Sequence, residues 1–356
     1  MKCSVLISYY NDKDFLKQSI DSVLNQSFKD FELILIDHAS LDESSNIAHS
    51  FDDKRIKHIK MKENIGGGGS ELFLKFLQEA SGEYIKTFCA DDIMQKDCLQ
   101  KLVNFLDTHK EFDIVACDMF DIDLHGKLYK NQTDKCILLK TLNHFELINA
   151  MFNLRNPFSY PTMLIRKDAI KERYIDRIAI QLFDIRLWIH LLLNGHHCGL
   201  VDEKLIQYRH HKNQLSGRFA TSNITNREIF EAYHLLNIFL EKMDIQTAQM
   251  VFPNIPNDED LLKFNLCKIA LDNSHPSMRI SALHSLYNML QNDGLRDLAH
   301  KKYNFTIADI RQLICDKKFS NNIIKNCHFI KKIIINLLKI AGLHNISRKI
   351  CHYVLP

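Results

Sequence analysis

Two adjacent carboxylates, Asp91 and Asp92, stand just past an apolar, strand-like run that begins at Tyr84 and closes with Lys86-Thr87-Phe88. In open α/β sheets ligands bind at the C-terminal ends of the strands. Neighbouring aspartates there repel each other unless a cation sits between them. Carboxylate and phosphate oxygens together are the usual coordination set of Mg²⁺ or Mn²⁺. The plainer alternative is a solvated Asp-Asp turn that caps a helix starting near Asp97. A second carboxylate with possible chemistry is Asp184, in Leu182-Phe183-Asp184-Ile185-Arg186-Leu187-Trp188-Ile189, which holds the only tryptophan of the chain. On a helix, Leu187, Trp188 and Leu191 bury together, and Asp184 falls one turn before Trp188. Desolvation at the rim of such an apolar layer lifts a carboxyl toward the working range of a general base. The alternative there is a first-turn aspartate stabilised by the helix dipole.

The elements that must position these groups are legible in the apolar pattern. Lys2-Cys3-Ser4-Val5-Leu6-Ile7-Ser8 reads as a buried strand, and Tyr9-Tyr10-Asn11-Asp12 as the loop after it. Leu16, Ile20, Val23 and Leu24 recur at helical spacing. Phe31 to Ile36 forms a second buried strand that ends at Asp37, and Ile56 to Ile59 a third. Asn64-Ile65-Gly66-Gly67-Gly68-Gly69-Ser70 then opens another helix. Strand and helix alternating at short spacing predict a parallel sheet with right-handed crossovers. Asp37, the glycine loop and the Asp91-Asp92 pair all follow strands, so one sheet edge gathers them. The four glycines come after the third strand, which is the wrong place for a dinucleotide fingerprint. They suit either close backbone approach to a sugar or diphosphate, or a flexible turn.

The order and spacing of these blocks resemble the family 2 glycosyltransferases of the GT-A fold, typically bacterial enzymes that build surface polysaccharides. The resemblance is carried by Ser4 to Asn11, Ser19 to Phe28, Phe31 to Asp37, Asn64-Ile65-Gly66, Ala80 to Ile85 and Asp91-Asp92, and spans roughly residues 1 to 216. It implies a mostly parallel, Rossmann-like sheet flanked by helices and followed by a helical region. It places Ser8, Tyr10, Asp37, Asn64, Gly66 and Asp91 along the donor nucleotide, with Asp37 on the base, usually uracil, and Asp92 on a Mn²⁺ or Mg²⁺ ion. Asp184 matches the base of the family's acidic-Asp-x-x-Leu-Trp block. Tyr208-Arg209-His210-His211-Lys212-Asn213-Gln214-Leu215-Ser216 resembles its closing block, which puts Arg209 and His211 on the diphosphate and makes His211 a second metal ligand. Pro161 to Arg166 resembles the acceptor-side strand. Three positions depart from the pattern: His38 and Cys89 stand where aspartates are common, and Phe183 replaces an acidic residue. The implied reaction is inverting, metal-dependent transfer of a sugar from a nucleotide donor, UDP favoured, to a hydroxyl of a glycan or lipid-linked acceptor.

Composition bounds the picture. The chain has 356 residues, 46% hydrophobic and 25% charged, enough for a large core and more than one domain. Ten cysteines without a CxxC pair point to reduced thiols in a cytoplasmic protein. The N-terminus enters a strand at once, so no signal peptide is expected, and no apolar run reaches the ~20 residues of a membrane span. We expect a catalytic domain over 1–216, a helical appendage over 217–316 and a basic tail over 317–356. The appendage shows helical pattern over Glu228 to Met243, Asp260 to Leu271, Met278 to Gln291 and Ile307 to Cys315. The tail carries eight Lys or Arg and no acid, which leaves −5 for residues 1–316 out of a total of +3. Its basic amphipathic stretch either lies on the inner face of an anionic membrane or packs on the body. The location of lipid-linked acceptors favours the first. Aliphatic surroundings without aromatic stacking platforms argue against nucleic acid. A non-catalytic nucleotide-binding relative and a nucleotidyltransferase remain as other classes. The first is disfavoured by Asp92 and Asp184 standing together, the second by the absence of a basic Gly-rich loop after the first strand.

Overall fold

The computed structural model describes residues 1–66, 69–130, 132, 136–212, 214 and 222–315. The chain divides into two compact units, Met1–Glu259 and Asp260–Pro356. In the first, the expected alternation is present: β1 (Cys3–Tyr9), α1 (Leu16–Leu24), β2 (Phe31–Asp37), α2 (Ser44–His49), β3 (Ile56–Lys60), α3 (Gly69–Glu79) and β4 (Tyr84–Cys89). A two-residue strand β5 (Ile93–Met94) leads to α4 (Cys98–Thr108) and β6 (Ile114–Ile122). Then come α5 (Ile137–Thr141), α6 (His144–Phe152), a 3₁₀ turn over Tyr160–Thr162, β7 (Leu164–Arg166), α7 (Phe183–Leu193), β8 (Cys198–Arg209), α8 (Ser222–Lys242) and α9 (Ile245–Val251).

The eight strands form one sheet in the order β3-β2-β1-β4-β7-β6-β8-β5. The half built from β1 to β4 is parallel throughout, whereas β7 runs antiparallel to both β4 and β6, and β5 antiparallel to β8. The register decides where the loops emerge. Ser8 pairs with Ile36 on one side and Cys89 on the other, and Tyr9 pairs with Asp37. The ends of β1, β2 and β4 therefore share one level. Both faces of β1, β2 and β4 are covered, so these strands read as nearly continuous apolar runs. Val5, Ile7, Leu33, Leu35, Tyr84 and Phe88 pack with Leu16, Ile20 and Val23 of α1 and with Leu99, Leu102 and Leu106 of α4.

A charged side chain is buried in the middle of β4. The Lys86 ammonium donates to the carbonyls of Thr87 (3.0 Å), Met163 (3.3 Å) and Pro161. A buried ammonium must be fully hydrogen-bonded to be tolerated, and these bonds fasten the 160–163 segment beside the C-terminal half of β4.

The helical calculation from sequence holds for α8 and for α10 (Leu262–Leu271), α11 (Pro276–Met289) and α13 (Ile307–Cys315), with α9 and α12 (Asp293–Tyr303) in addition. The pattern hides α12 because Ala299 is its single buried residue, so no apolar stripe marks it. In the second unit the Phe264 ring stacks on Tyr303 at 5.8 Å and meets Phe305 edge-on at 5.1 Å. The first compact unit extends to Glu259, well past the expected limit at 216, because α8 and α9 belong to it. The expected tail over 317–356 lies outside the described residues, as do Gly67, Gly68, Asn213, Leu215 and Ser216. No helix among the described residues is long and apolar enough to cross a membrane.

Gly82 closes the approach to β4. A Cβ there would meet the Ser4 backbone N at 2.5 Å and the Cys3 carbonyl carbon at 2.7 Å, so the β1–β4 pair leaves no room for a side chain. Gly82→Ala is expected to lower the unfolding free energy by about 1–3 kcal/mol, the usual cost of overpacking, as read by urea denaturation.

Candidate active site

The acidic pair is not a solvated turn. Asp92 is completely buried, and its Oδ1 accepts the Arg209 backbone N–H at 2.9 Å. Its other oxygen, Oδ2, is buried without a hydrogen-bond partner. Burial, and next the charge of Asp91, push the Asp92 carboxyl well above the usual carboxylate range. One ligand atom from each of Cys89, Asp91 and Asp92 lies within 4.8 Å of the other two. Such a cluster of buried acid is costly alone and suits a divalent cation.

Arg209 holds this edge together. Its Nε donates to the Asp91 carbonyl (2.7 Å), Nη1 to the carbonyls of Leu124 (3.0 Å) and Asp123 (3.3 Å), and Nη2 to Gln18 Oε1 (2.6 Å). The guanidinium also lies 4.8 Å from the centre of the Phe15 ring. The side chain is buried and its donors are engaged within the protein. The arginine thereby joins the end of β8 to the loops after β4, β6 and β1. Gln214 completes the joint, its Nε2 donating to the Arg209 carbonyl and its Oε1 accepting the His211 N–H.

His211 sits one carboxylate away from the cluster. Its Nε2 is 2.8 Å from Asp91 Oδ2, and its ring packs 4.9 Å from Phe15. It is not among the atoms that lie within 4.8 Å of one another, so it reaches the pair through Asp91. Asp12 adjoins the same group. Burial, reinforced by the charge of Asp91, pushes its carboxyl up to about 6, although it accepts the Tyr10 N–H at 2.9 Å.

The neighbouring loops are laced to one another at the expected nucleotide edge. Asp37 is buried, with Oδ1 accepting the Ser40 N–H (2.8 Å) and Oδ2 left without a partner. Asn11 Oδ1 accepts the Leu41 N–H (2.8 Å), and Ser40 Oγ accepts the Asn11 N–H (3.2 Å). Asn11 and Ala39 both adopt left-handed backbone, at φ 56° and 61°. For an alanine this costs of order 1–3 kcal/mol and is typical of ligand-binding loops. Tyr10 is exposed beside His38, their ring centres 6.2 Å apart. His38 takes over a tethering role: its Nε2 accepts the Ile65 N–H at 3.0 Å, which fixes the Asn64–Gly66 turn to the end of β2. Asn64 Oδ1 accepts the Gly66 N–H, and Gly66 has φ 91°, a conformation glycine adopts without penalty.

The same loop reaches the second candidate carboxylate. A Cβ on Gly69 would strike the Ile180 carbonyl oxygen at 2.5 Å, and Ser70 Oγ donates to the Ala179 carbonyl at 2.6 Å. Glycine at 69 is thus required by contact with the chain just before α7. Asp184 occupies the first turn of that helix, and Trp188 is buried one turn on, as the spacing predicts. Burial lifts the Asp184 carboxyl to about 6, against the backbone N–H groups of Ile185 and Asp184 and the Trp188 indole, which favour the ionised form. The charges of Asp184, Cys89 and the Tyr160 hydroxyl act on one another. Cys89, in turn, adjoins Asp91 and Asp92, so the structure brings Asp184 and the acidic pair to one edge. Sequence reasoning missed Gln18, Asp12 and Tyr160. The one local signal was the position of Asp12 in the loop after β1.

Comparison with known proteins agrees with this geometry. Residues 4–174 match the family described as Glycosyl transferase family 2. An uncharacterized glycosyltransferase of Methanocaldococcus jannaschii is 28% identical over 58% of this chain and 70% of its own length. An uncharacterized glycosyltransferase of Haemophilus influenzae is 27% identical over 90% of this chain and 97% of its own. The crystal structure of S. aureus TarS residues 1–349 superposes with a TM-score of 0.57 at 19% identity, covering 80% of each chain, and a further structure of it is a complex with UDP-GlcNAc. TarS is named a poly(ribitol-phosphate) beta-N-acetylglucosaminyltransferase. With an acidic pair and a raised carboxyl on one GT-A sheet, and a family match over residues 4–174, the chain carries a Glycosyl transferase family 2 domain and is a glycosyltransferase.

Proposed function

We propose that the protein is an inverting enzyme that transfers a sugar from a UDP-sugar to a hydroxyl group, with Asp184 as the general base. The observation that carries this reading is a buried Asp184 whose charge acts on Cys89, the residue grouped with Asp91 and Asp92. Asp184 accepts the proton of the acceptor hydroxyl as its oxygen bonds to the anomeric carbon. The bond from that carbon to the diphosphate breaks on the opposite face, so the configuration inverts. A carboxyl near 6 is ionised at neutral pH and still basic enough to hold that proton, and such help is typically worth roughly 10²–10⁴-fold.

The residues of the acidic pair fit a divalent cation. Asp92 offers a buried oxygen that nothing in the protein satisfies, and Asp91 stands beside it. Mn²⁺ or Mg²⁺ bound there supplies charge stabilisation to the departing diphosphate. In this reading Asp91 and Ser8 take the ribose and the unpartnered Asp37 Oδ2 accepts a base N–H, while Tyr10, Asn64 and Gly66 contribute from the loops that meet at His38. His211 orients the Asp91 carboxylate through their hydrogen bond. A UDP donor is supported by the UDP-GlcNAc complex of the S. aureus relative, and a glycan or lipid-linked acceptor in surface polysaccharide synthesis by the polymer in that relative's name. The basic stretch over 317–356 supports a cytoplasmic enzyme held at the inner membrane surface.

Three results test this reading. UDP with Mn²⁺ should raise the thermal midpoint of the wild type, by the equivalent of about 2.7 kcal/mol at 100 times Kd, and should not do so in Asp92→Ala. Equal shifts in both proteins would remove Asp92 from the donor site. Asp184→Asn should keep the UDP shift yet lose transfer by roughly 10²-fold or more, and wild-type kcat/KM should fall as pH drops below about 6, where Asp184 becomes protonated and cannot act as a base. Full-length protein should sediment with vesicles of anionic lipid at low salt, release at high salt, and fail to bind when the chain is ended at Cys315.

A further inference from the structure

Glu231 stands on α8, outside the segment that carries the family resemblance, and it is buried. Its carboxylate accepts three consecutive backbone N–H groups: Ile180 to Oε1 at 2.9 Å, Gln181 to Oε1 at 3.1 Å and to Oε2 at 3.0 Å, and Leu182 to Oε2 at 2.7 Å. These donors lie immediately before α7, whose second residue is Asp184. A short turn with three N–H groups pointing one way is a nest for an anion, and a carboxylate is the natural occupant. The arrangement does two things. It fixes the direction in which the chain approaches α7, and it places a second negative charge near Asp184.

We infer that Glu231 is a positioning residue for the base: through the 180–182 turn it sets where the Asp184 carboxyl points and holds a fixed negative charge near it. This rests on the reading of Asp184 as general base. The groups that act on the Asp184 carboxyl come from every side. Tyr160 faces it from the 3₁₀ turn, Cys89 from β4, Trp188 from its own helix and Glu231 from α8, with Glu228 beside Glu231. Burial keeps the Tyr160 hydroxyl and the Cys89 thiol protonated at neutral pH, so Glu231 contributes the nearby charge that opposes Asp184.

Trp188, the single tryptophan of the chain, makes this measurable without donor or acceptor. Its emission is followed from pH 5 to 8 in the whole protein, free of metal and nucleotide, above the range in which His190 on the same helix titrates, about 4. The wild type should show a midpoint near 6, and Asp184→Asn should show no transition. In Glu231→Gln, which keeps a hydrogen-bond acceptor but loses the charge, the midpoint should move down by about half a pH unit or more. In Glu231→Ala, amide exchange at Ile180, Gln181 and Leu182 should also quicken by roughly tenfold or more. A flat Asp184→Asn with an unchanged midpoint in Glu231→Gln overturns the inference, since Glu231 is then only a cap. A wild-type transition that persists unchanged in Asp184→Asn overturns instead the assignment of a raised carboxyl to Asp184.

Discussion

Like charges cannot be crowded into a buried strand end without something to hold them, and this constraint organises the site. Asp91 and Asp92 project from the C-terminal edge of β4, and Asp12 joins them from the loop after β1. Among the described residues, a buried arginine and His211 offer compensation. Arg209 donates to the backbone of Asp91 from its side chain and to the carboxylate of Asp92 from its own N–H, while its remaining donors reach α1 and the loop after β6. A cation that bonds mostly to carbonyls neutralises little of the charge but fixes a great deal of geometry. The buried oxygen of Asp92 is left free for something from outside.

The parallel half of the sheet supplies the level on which these groups meet, and the rest of the molecule supplies the direction of approach. His38 fastens the Asn64–Gly66 turn to β2, and Gly69 lets that loop touch the chain before α7. Lys86 fastens the 160–163 segment to β4, which brings Tyr160 toward Cys89. The loop after β3 and the 160–163 segment are therefore tied to the ends of two strands of the same parallel half, β2 and β4.

Much of this was legible in the sequence, for a physical reason. Strands buried on both faces read as uninterrupted apolar runs, so β1, β2 and β4 and the carboxylates at their ends stand out. Asp184 was legible because Leu187, Trp188 and Leu191 repeat at helical spacing beside it. What could not be read depends on contacts between distant residues. The closing block pointed to Arg209 as a cation, yet only the fold shows that its partners include Gln18, Asp91 and Leu124. His38 was legible as a departure from an acidic pattern, but not as the acceptor of a backbone N–H. The limit at 216 was drawn where the motif ends, whereas the compact unit runs to Glu259 because α8 completes it.

The distance along the chain between Ile180 and Glu231 is 51 residues. Domains form from the N-terminus during synthesis at roughly 5–20 residues per second, so Glu231 leaves the ribosome roughly 3–10 s after Ile180. Throughout that interval the strands that bear the acidic pair are already made, while the turn before α7 has only water for its N–H groups. The nascent chain thus contains the strands that bear the acidic pair before it contains the residue that anchors the turn ahead of α7.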